Sequence, residues 1–164
     1  MLDVGCGTGS LTIALRGSVG SAGAVSGVDA SPEMIEVARR KAIKVGVEVD
    51  FRVGLAEAIP FPNATFDLVV SQLAIHHLPG DLKQRSFLEM RRVLKPGGRC
   101  LIVDFDPPKV TPWRIAASVL LGPVMMRTDV RDYRGLMEAA GFDGLEAGQT
   151  GHWLLAFVRG RIAR

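Results

Sequence analysis

Short runs of apolar residues alternate with stretches in which apolar positions recur at helical spacing, and this continues along the whole chain. Such alternation predicts an α/β fold, a Rossmann-like doubly wound sheet with helices on both faces. Residues 1–4 read as the end of a strand, followed by the turn Gly5-Cys6-Gly7-Thr8-Gly9 and a short helix over 10–16. A strand follows over 24–29. Ser31 is a good N-cap with Pro32 at the first helical position, and Met34, Val37, Ala38, Ala42 and Val45 form an apolar stripe that Gly46 stops. A third strand over 47–53 places Val47, Val49, Phe51 and Val53 on one face. After a loop over 54–65 comes a continuous apolar strand over 66–71, hence a buried one. A helix over about 81–94 shows Leu82, Phe87, Leu88 and Leu94 among charges, and Pro96-Gly97-Gly98 ends it before a strand over 99–105. Helices over about 112–121 and 129–140 precede two strands near 145–149 and 152–159. The turn between those two is too short for anything but antiparallel pairing.

The chain has 164 residues, the size of one domain of roughly 150, and 48% of them are hydrophobic against 23% charged, which excludes a disordered chain. The net charge is +3, and basic residues are scattered in twos and threes without interleaved aromatics, so no nucleic-acid footprint is read. Cys6 and Cys100 lie outside any CxxC spacing, which excludes a disulfide framework or zinc module. No apolar run approaches the ~18 residues of a membrane span, and no secretory signal opens the chain. A cytoplasmic location is expected.

A glycine turn between a buried strand and a helix lets a ligand approach the backbone where a side chain would collide, and the helix start behind it attracts negative charge. Asp29 ends the next strand, 20 residues after Gly9. From there a carboxylate can accept hydrogen bonds from two ribose hydroxyls. Nicotinamide dinucleotides and S-adenosylmethionine both fit such an acid. The dinucleotide fingerprint wants Gly or Ala where Ser10 stands, and Asp3 precedes the turn in the order D-x-G-x-G-x-G.

At these residues the chain resembles the class I S-adenosylmethionine-dependent methyltransferases, in particular the small-molecule branch similar to ubiquinone/menaquinone-biosynthesis methyltransferases. The resemblance rests on Leu2-Asp3-Val4-Gly5-Cys6-Gly7-Thr8-Gly9, on Gly27-Val28-Asp29-Ala30-Ser31-Pro32-Glu33-Met34, and on Ala56-Glu57-Ala58-Ile59-Pro60-Phe61-Pro62 with Phe66-Asp67-Leu68-Val69-Val70. Ala74-Ile75-His76-His77-Leu78, Arg92-Val93-Leu94-Lys95-Pro96-Gly97-Gly98 and Ala140-Gly141-Phe142 extend it over nearly the whole chain. It implies that Asp3, Gly5, Gly7 and Gly9 surround the methionine part of the cofactor and that Asp29 binds its ribose. Ala30 and Met34 would pack near the adenine, Ala56 would offer its amide to the ring, and Ser71 and Gln72 would contact the methionine end. Many relatives carry Asp where this chain has Leu55, so weaker adenine binding is expected. Relatives also carry helices before the first strand. The expectation is therefore a single methyltransferase domain over 1–164 that lacks them and is marginally stable.

His76 and His77 follow the fourth strand at the edge where ligands of open α/β sheets gather, so either could be a general base or orient the acceptor. His152 reads as structural. Asp104 and Asp106 could pair on a metal but lack a third well-spaced ligand, so no metal is expected. The apolar stretch 113–126 reads as a packed helix or the lining of an apolar substrate site, and Cys6 as a small neutral residue rather than a nucleophile. The expected reaction is methyl transfer to an O, N or C nucleophile of a small, apolar acceptor. A nicotinamide oxidoreductase is disfavoured by Ser10 and by Met137 standing where a Tyr-x-x-x-Lys pair built on Tyr133 needs lysine. A non-catalytic S-adenosylmethionine-binding protein is the alternative from another class.

Overall fold

A computed structural model describes residues 1–106, 130, 132–152 and 154–164. The helix expected over 112–121 and the apolar stretch 113–126 lie outside them. Strand β1 (Leu2–Val4) is the hub. It runs parallel between β2 (Ser26–Asp29) and β4 (Phe66–Gln72), and all three of its residues are buried. Leu2 and Val4 face the larger core cluster, while Asp3 between them points the other way, to Thr12 of helix α1 (Ser10–Ser18).

Among the described residues seven strands form one sheet in the order β3-β2-β1-β4-β5-β7-β6. Here β3 is Asp50–Val53, β5 is Leu94–Phe105, β6 is Asp143–Gln149 and β7 is Leu155–Arg161. The first five strands pair in parallel, and β7 is antiparallel to both β5 and β6. The mostly parallel sheet with an antiparallel C-terminal hairpin is thus the observed one. The chain builds outward from β1 to β3, then returns to β4 on the far side of β1. Such a reversal leaves a crevice at the carboxyl ends of β1 and β4.

Helix α2 (Pro32–Val45) is capped as its sequence predicts: the Ser31 hydroxyl accepts from the Met34 amide, and Gly46 closes it in the left-handed region. Its buried face differs from the expected stripe. Ile35, Ala38 and Ala42 pack on Phe51 and Cys6, whereas Met34 and Val45 are exposed. Met34 lies in the first turn, at the carboxyl edge of the sheet, and so faces the crevice rather than the strands. Helix α3 (Gly80–Val93) likewise buries Phe87, Met90 and Val93 and exposes Leu88. It ends directly into β5, so Leu94 and the Pro-Gly-Gly segment belong to that strand. Helix α4 (Asp132–Ala139) adds Tyr133 and Met137 to the same core.

Candidate active site

The glycine turn hangs from β2 by two hydrogen bonds, the amides of Gly5 and Cys6 donating to the Val28 carbonyl at 2.8 and 3.0 Å. Its glycines serve different ends. Gly5 has φ +73°, and a Cβ there would lie 2.3 Å from the Ala74 Cβ, so the turn and the segment after β4 touch only because no side chain intervenes. Gly7, at φ +51°, has open space where a Cβ would stand. That space is the crevice, a cavity of about 440 Å³ lined in part by Gly5, Gly7, Asp29, Ala30 and Met34. Ala56, Leu73 and His77 close its other walls, and its volume is within the range of small-molecule sites.

Asp29 brings a carboxylate to this cavity. One carboxylate oxygen accepts from the Gly7 amide at 2.8 Å and the other from the Ser31 amide at 3.0 Å. Each oxygen has two lone pairs, so each keeps one for a ligand. Two acceptors fixed side by side by backbone donors suit two neighbouring hydroxyls. Lys41 of α2 braces the turn from outside, its ammonium donating to the Thr8 and Ser10 hydroxyls at 2.7 and 3.2 Å.

The cavity therefore brings together Gly5, Gly7, Asp29, Ala30, Met34, Ala56 and His77, while Asp3, Gly9, Ser71, Gln72 and His76 are not in its lining. Gly9 caps α1. Asp3 lies beneath the turn, buried, and accepts from the Thr12 hydroxyl at 2.6 Å. Burial pushes its carboxyl up to about 6, against the pull of the Thr12 hydrogen bond, and Asp29's charge adds to the rise. Ser71 is buried, with no hydrogen-bond partner for its hydroxyl among the described residues. Gln72 ends β4 and is exposed. Burial, with Asp3 and Asp29 nearby, pushes the Cys6 thiol up to about 12, so it is a neutral thiol at ordinary pH.

Leu55 lines the cavity and is half exposed, beside Ala56 on a loop held by α3. Arg92 donates to the carbonyls of Ile59 and Phe61, each at 2.9 Å, and Glu89 accepts from the Ile59 amide at the same distance. Arg92 opens one of the segments that carry the family resemblance, but no sequence pattern marks either residue as holding this loop. Leu73, another lining residue, has φ +55°, a conformation that disfavours a side chain and turns the chain sharply after β4.

The two histidines sit in the 3₁₀ turn Ile75–His77 with ring centroids 3.9 Å apart. His77 is exposed to the cavity, and burial together with its neighbour holds its imidazole below the usual range, against the pull of Asp104. His76 is buried, its Nδ1 2.7 Å from Asp104 Oδ1. Asp104 also accepts from the amides of His76 and Phe105 and from the Tyr133 hydroxyl, which occupies its lone pairs. Asp106 accepts from the Gln149 side chain. His152 lies in the β6–β7 turn, its Nδ1 accepting from the Leu154 amide at 3.4 Å.

Residues 1–98 match the family described as "Methyltransferase domain". That is more than half of the chain. The chain belongs to the S-adenosylmethionine-dependent methyltransferases. It is 32% identical to the ubiquinone/menaquinone biosynthesis C-methyltransferase UbiE of Ralstonia pickettii, over 89% of this chain and 68% of that protein. The UbiE protein of Escherichia fergusonii is 30% identical over 98% and 72%. Among solved structures, a SAM-dependent methyltransferase from Aquifex aeolicus matches 99% of the chain and 81% of its own with TM-score 0.79 and 25% identity. The [4+2]-cyclase SpnF matches 99% and 74% with TM-score 0.76 and 21% identity, a likeness of fold alone. The cofactor of this methyltransferase is S-adenosylmethionine, and its acceptor is a small molecule.

Proposed function

We propose that the cavity at the carboxyl ends of β1 and β4 is the cofactor site. The observation that carries this is Asp29, with one spare lone pair on each oxygen and its geometry fixed by the amides of Gly7 and Ser31. In this reading Asp29 accepts from the two ribose hydroxyls. Ala30, Met34 and Ala56 surround the adenine, and Asp3, Gly5, Gly7 and Gly9 form the methionine end together with Ser71 and Gln72. The open space over Gly7 supports the close approach of a ligand to the backbone, and the unpartnered Ser71 hydroxyl supports a polar contact. When bound, S-adenosylmethionine supplies a methyl group on a cationic sulfur that becomes neutral on transfer. The protein's own residues need only hold the acceptor in line, exclude water and take up a proton, and His76 and His77 are the residues for that last task.

The acceptor we propose is small and apolar, of the class in the names of the UbiE relatives: an intermediate of ubiquinone or menaquinone biosynthesis, methylated at carbon. The apolar wall of Leu73, Ile75 and Leu78 supports it. Nucleic acid is not proposed as a partner. Among the described residues no helix is long and apolar enough to cross a membrane, and the two free, buried cysteines support a cytoplasmic location. A single methyltransferase domain over 1–164 is part of this proposal, supported by the one sheet that all seven described strands share. The test is transfer of radiolabelled methyl from S-adenosylmethionine to 1,4-dihydroxynaphthalene, phenol and a set of primary amines. Label on a ring carbon of the naphthalene is the expected result. Label on amines alone would overturn the acceptor class, and no label on any acceptor together with tight cofactor binding would point to a non-catalytic binder.

A further inference from the structure

We propose that Asp104 and Tyr133 are positioning residues that keep His76 in the tautomer able to accept a proton at Nε2, and that the acceptor is therefore a molecule that loses an O–H, N–H or C–H proton on methylation. The proposal deepens the reading above and rests on the protein being a methyltransferase with its cofactor in the described cavity.

Three observations carry it. Asp104, fully buried, receives four donors: the His76 ring at 2.7 Å, the His76 amide at 3.1 Å, the Phe105 amide at 2.9 Å and the Tyr133 hydroxyl at 3.1 Å. A carboxylate so placed can only accept, so a neutral His76 carries its proton on Nδ1 and leaves a lone pair on Nε2. That Nε2 is the second observation: it is buried and has no hydrogen-bond partner among the described residues. A buried ring nitrogen left open beside an otherwise saturated network calls for an explanation, and a base awaiting its proton donor is one. Third, residues 73–78 apart from His76 all line the cofactor cavity. His76 alone turns from that wall toward the end of β5, against the edge of Phe105 at 5.2 Å between centroids. The acceptor would then lie against this wall at its β5 end, in contact with the methyl group that the cofactor presents from the β2 side.

In the transfer the acceptor's proton passes to Nε2. The electron pair it leaves on the acceptor makes, directly or through a conjugated ring, the new bond to the methyl carbon, and the pair of the broken carbon–sulfur bond stays with sulfur. His76 becomes an imidazolium beside Asp104, which offsets the new charge. When the bond is made at a ring carbon, the neutral dienone so formed takes the proton on His76 back at its oxygen while the proton of the methylated carbon passes to water, which restores aromaticity and leaves His76 neutral. Among the described residues the other titratable or charged groups around this network are His77 on the same turn, Lys83 of α3 with its ammonium 5.5 Å over the Tyr133 ring, and Asp132 beside Tyr133 on α4.

The test uses the full chain labelled with ¹⁵N at its three histidines, with His76→Gln to assign the signal. At pH 7.5 the His76 ring is expected to carry its proton on Nδ1 in the wild type and on Nε2 in Asp104→Asn, where the amide can donate to Nδ1. With 1,4-dihydroxynaphthalene as acceptor, Asp104→Asn and His76→Gln should each lower kcat at least a hundredfold while the Kd for S-adenosylhomocysteine stays within threefold. Tyr133→Phe removes one donor and makes the carboxylate a stronger partner. The acid limb of its kcat–pH profile should move to higher pH. A wild-type proton on Nε2, or kcat within threefold in a folded Asp104→Asn, would overturn the proposal. Should Asp104→Asn not fold, the wild-type tautomer and the Tyr133→Phe limb decide it. Loss of cofactor binding in the wild type would instead count against the cofactor site, and the tautomer would still be read.

Discussion

Around β1 and β2 the site is made of backbone: glycines at positive φ, and amides aimed at the carboxylate of Asp29. Around β4 and β5 the proposed proton-accepting network is made of buried side chains, His76, Asp104 and Tyr133, which meet across 28 and 29 residues of sequence. The difference is one of constraint. A backbone in the left-handed region accepts almost only glycine, so the first region restricts its residue types locally and shows as a motif. A network of side chains restricts only which residues meet after folding.

The sharpest way to break this contrast is at the glycines. Gly5→Ala must accept both a strained backbone and a contact 2.3 Å from Ala74, and should cost about 2–4 kcal/mol in urea denaturation. Gly7→Ala carries strain alone, about 1–2 kcal/mol, but its methyl enters the cavity and should reduce cofactor affinity. Equal stability losses at the two positions would show that close packing is not what separates them. Next in size is Asp29→Ala. It should weaken binding of S-adenosylhomocysteine by at least about 1.5 kcal/mol in calorimetry, because two hydroxyls lose a charged acceptor.

The same contrast explains what could be read in advance. The order of elements, the caps of α2, the antiparallel hairpin and the glycine turn all follow from local periodicity and turn chemistry. The stripe of α2 is displaced because amphipathic spacing does not say that Met34 in the first turn faces a cavity while Ile35 faces the sheet. In the same way Asp104 looks like a metal candidate until its four donors are seen, and Arg92 and Glu89 look like helix surface until they are found holding the loop of Leu55 and Ala56.

Asp3 gives a pH handle on the first region. Its folded pKa of about 6 lies above its ordinary value of 3.8, so its contribution to stability is full below about pH 4 and is lost as pH rises through 6. If the cofactor's ammonium sits near this carboxylate, binding favours the ionised form. Affinity should then rise about tenfold between pH 5 and 7, and Asp3→Asn should flatten both the affinity and the stability profiles. An Asp3→Asn variant that keeps the same slope would remove Asp3 from the methionine end.

The smallest effect is expected at Leu55. Its side chain is half exposed at the cavity rather than in the core, so Leu55→Asp should restore an adenine contact and tighten cofactor binding by about 0.5–1.5 kcal/mol. Unchanged affinity would mean that this loop holds the adenine by its backbone and apolar contacts alone.

The most direct test of the central claim is a calorimetric titration of the full chain with S-adenosylhomocysteine and, separately, with NADH. The account predicts saturable binding of S-adenosylhomocysteine in the micromolar range, about −8 kcal/mol at a Kd near 1 μM, and no heat of binding for NADH. Binding of NADH with no response to S-adenosylhomocysteine would contradict it.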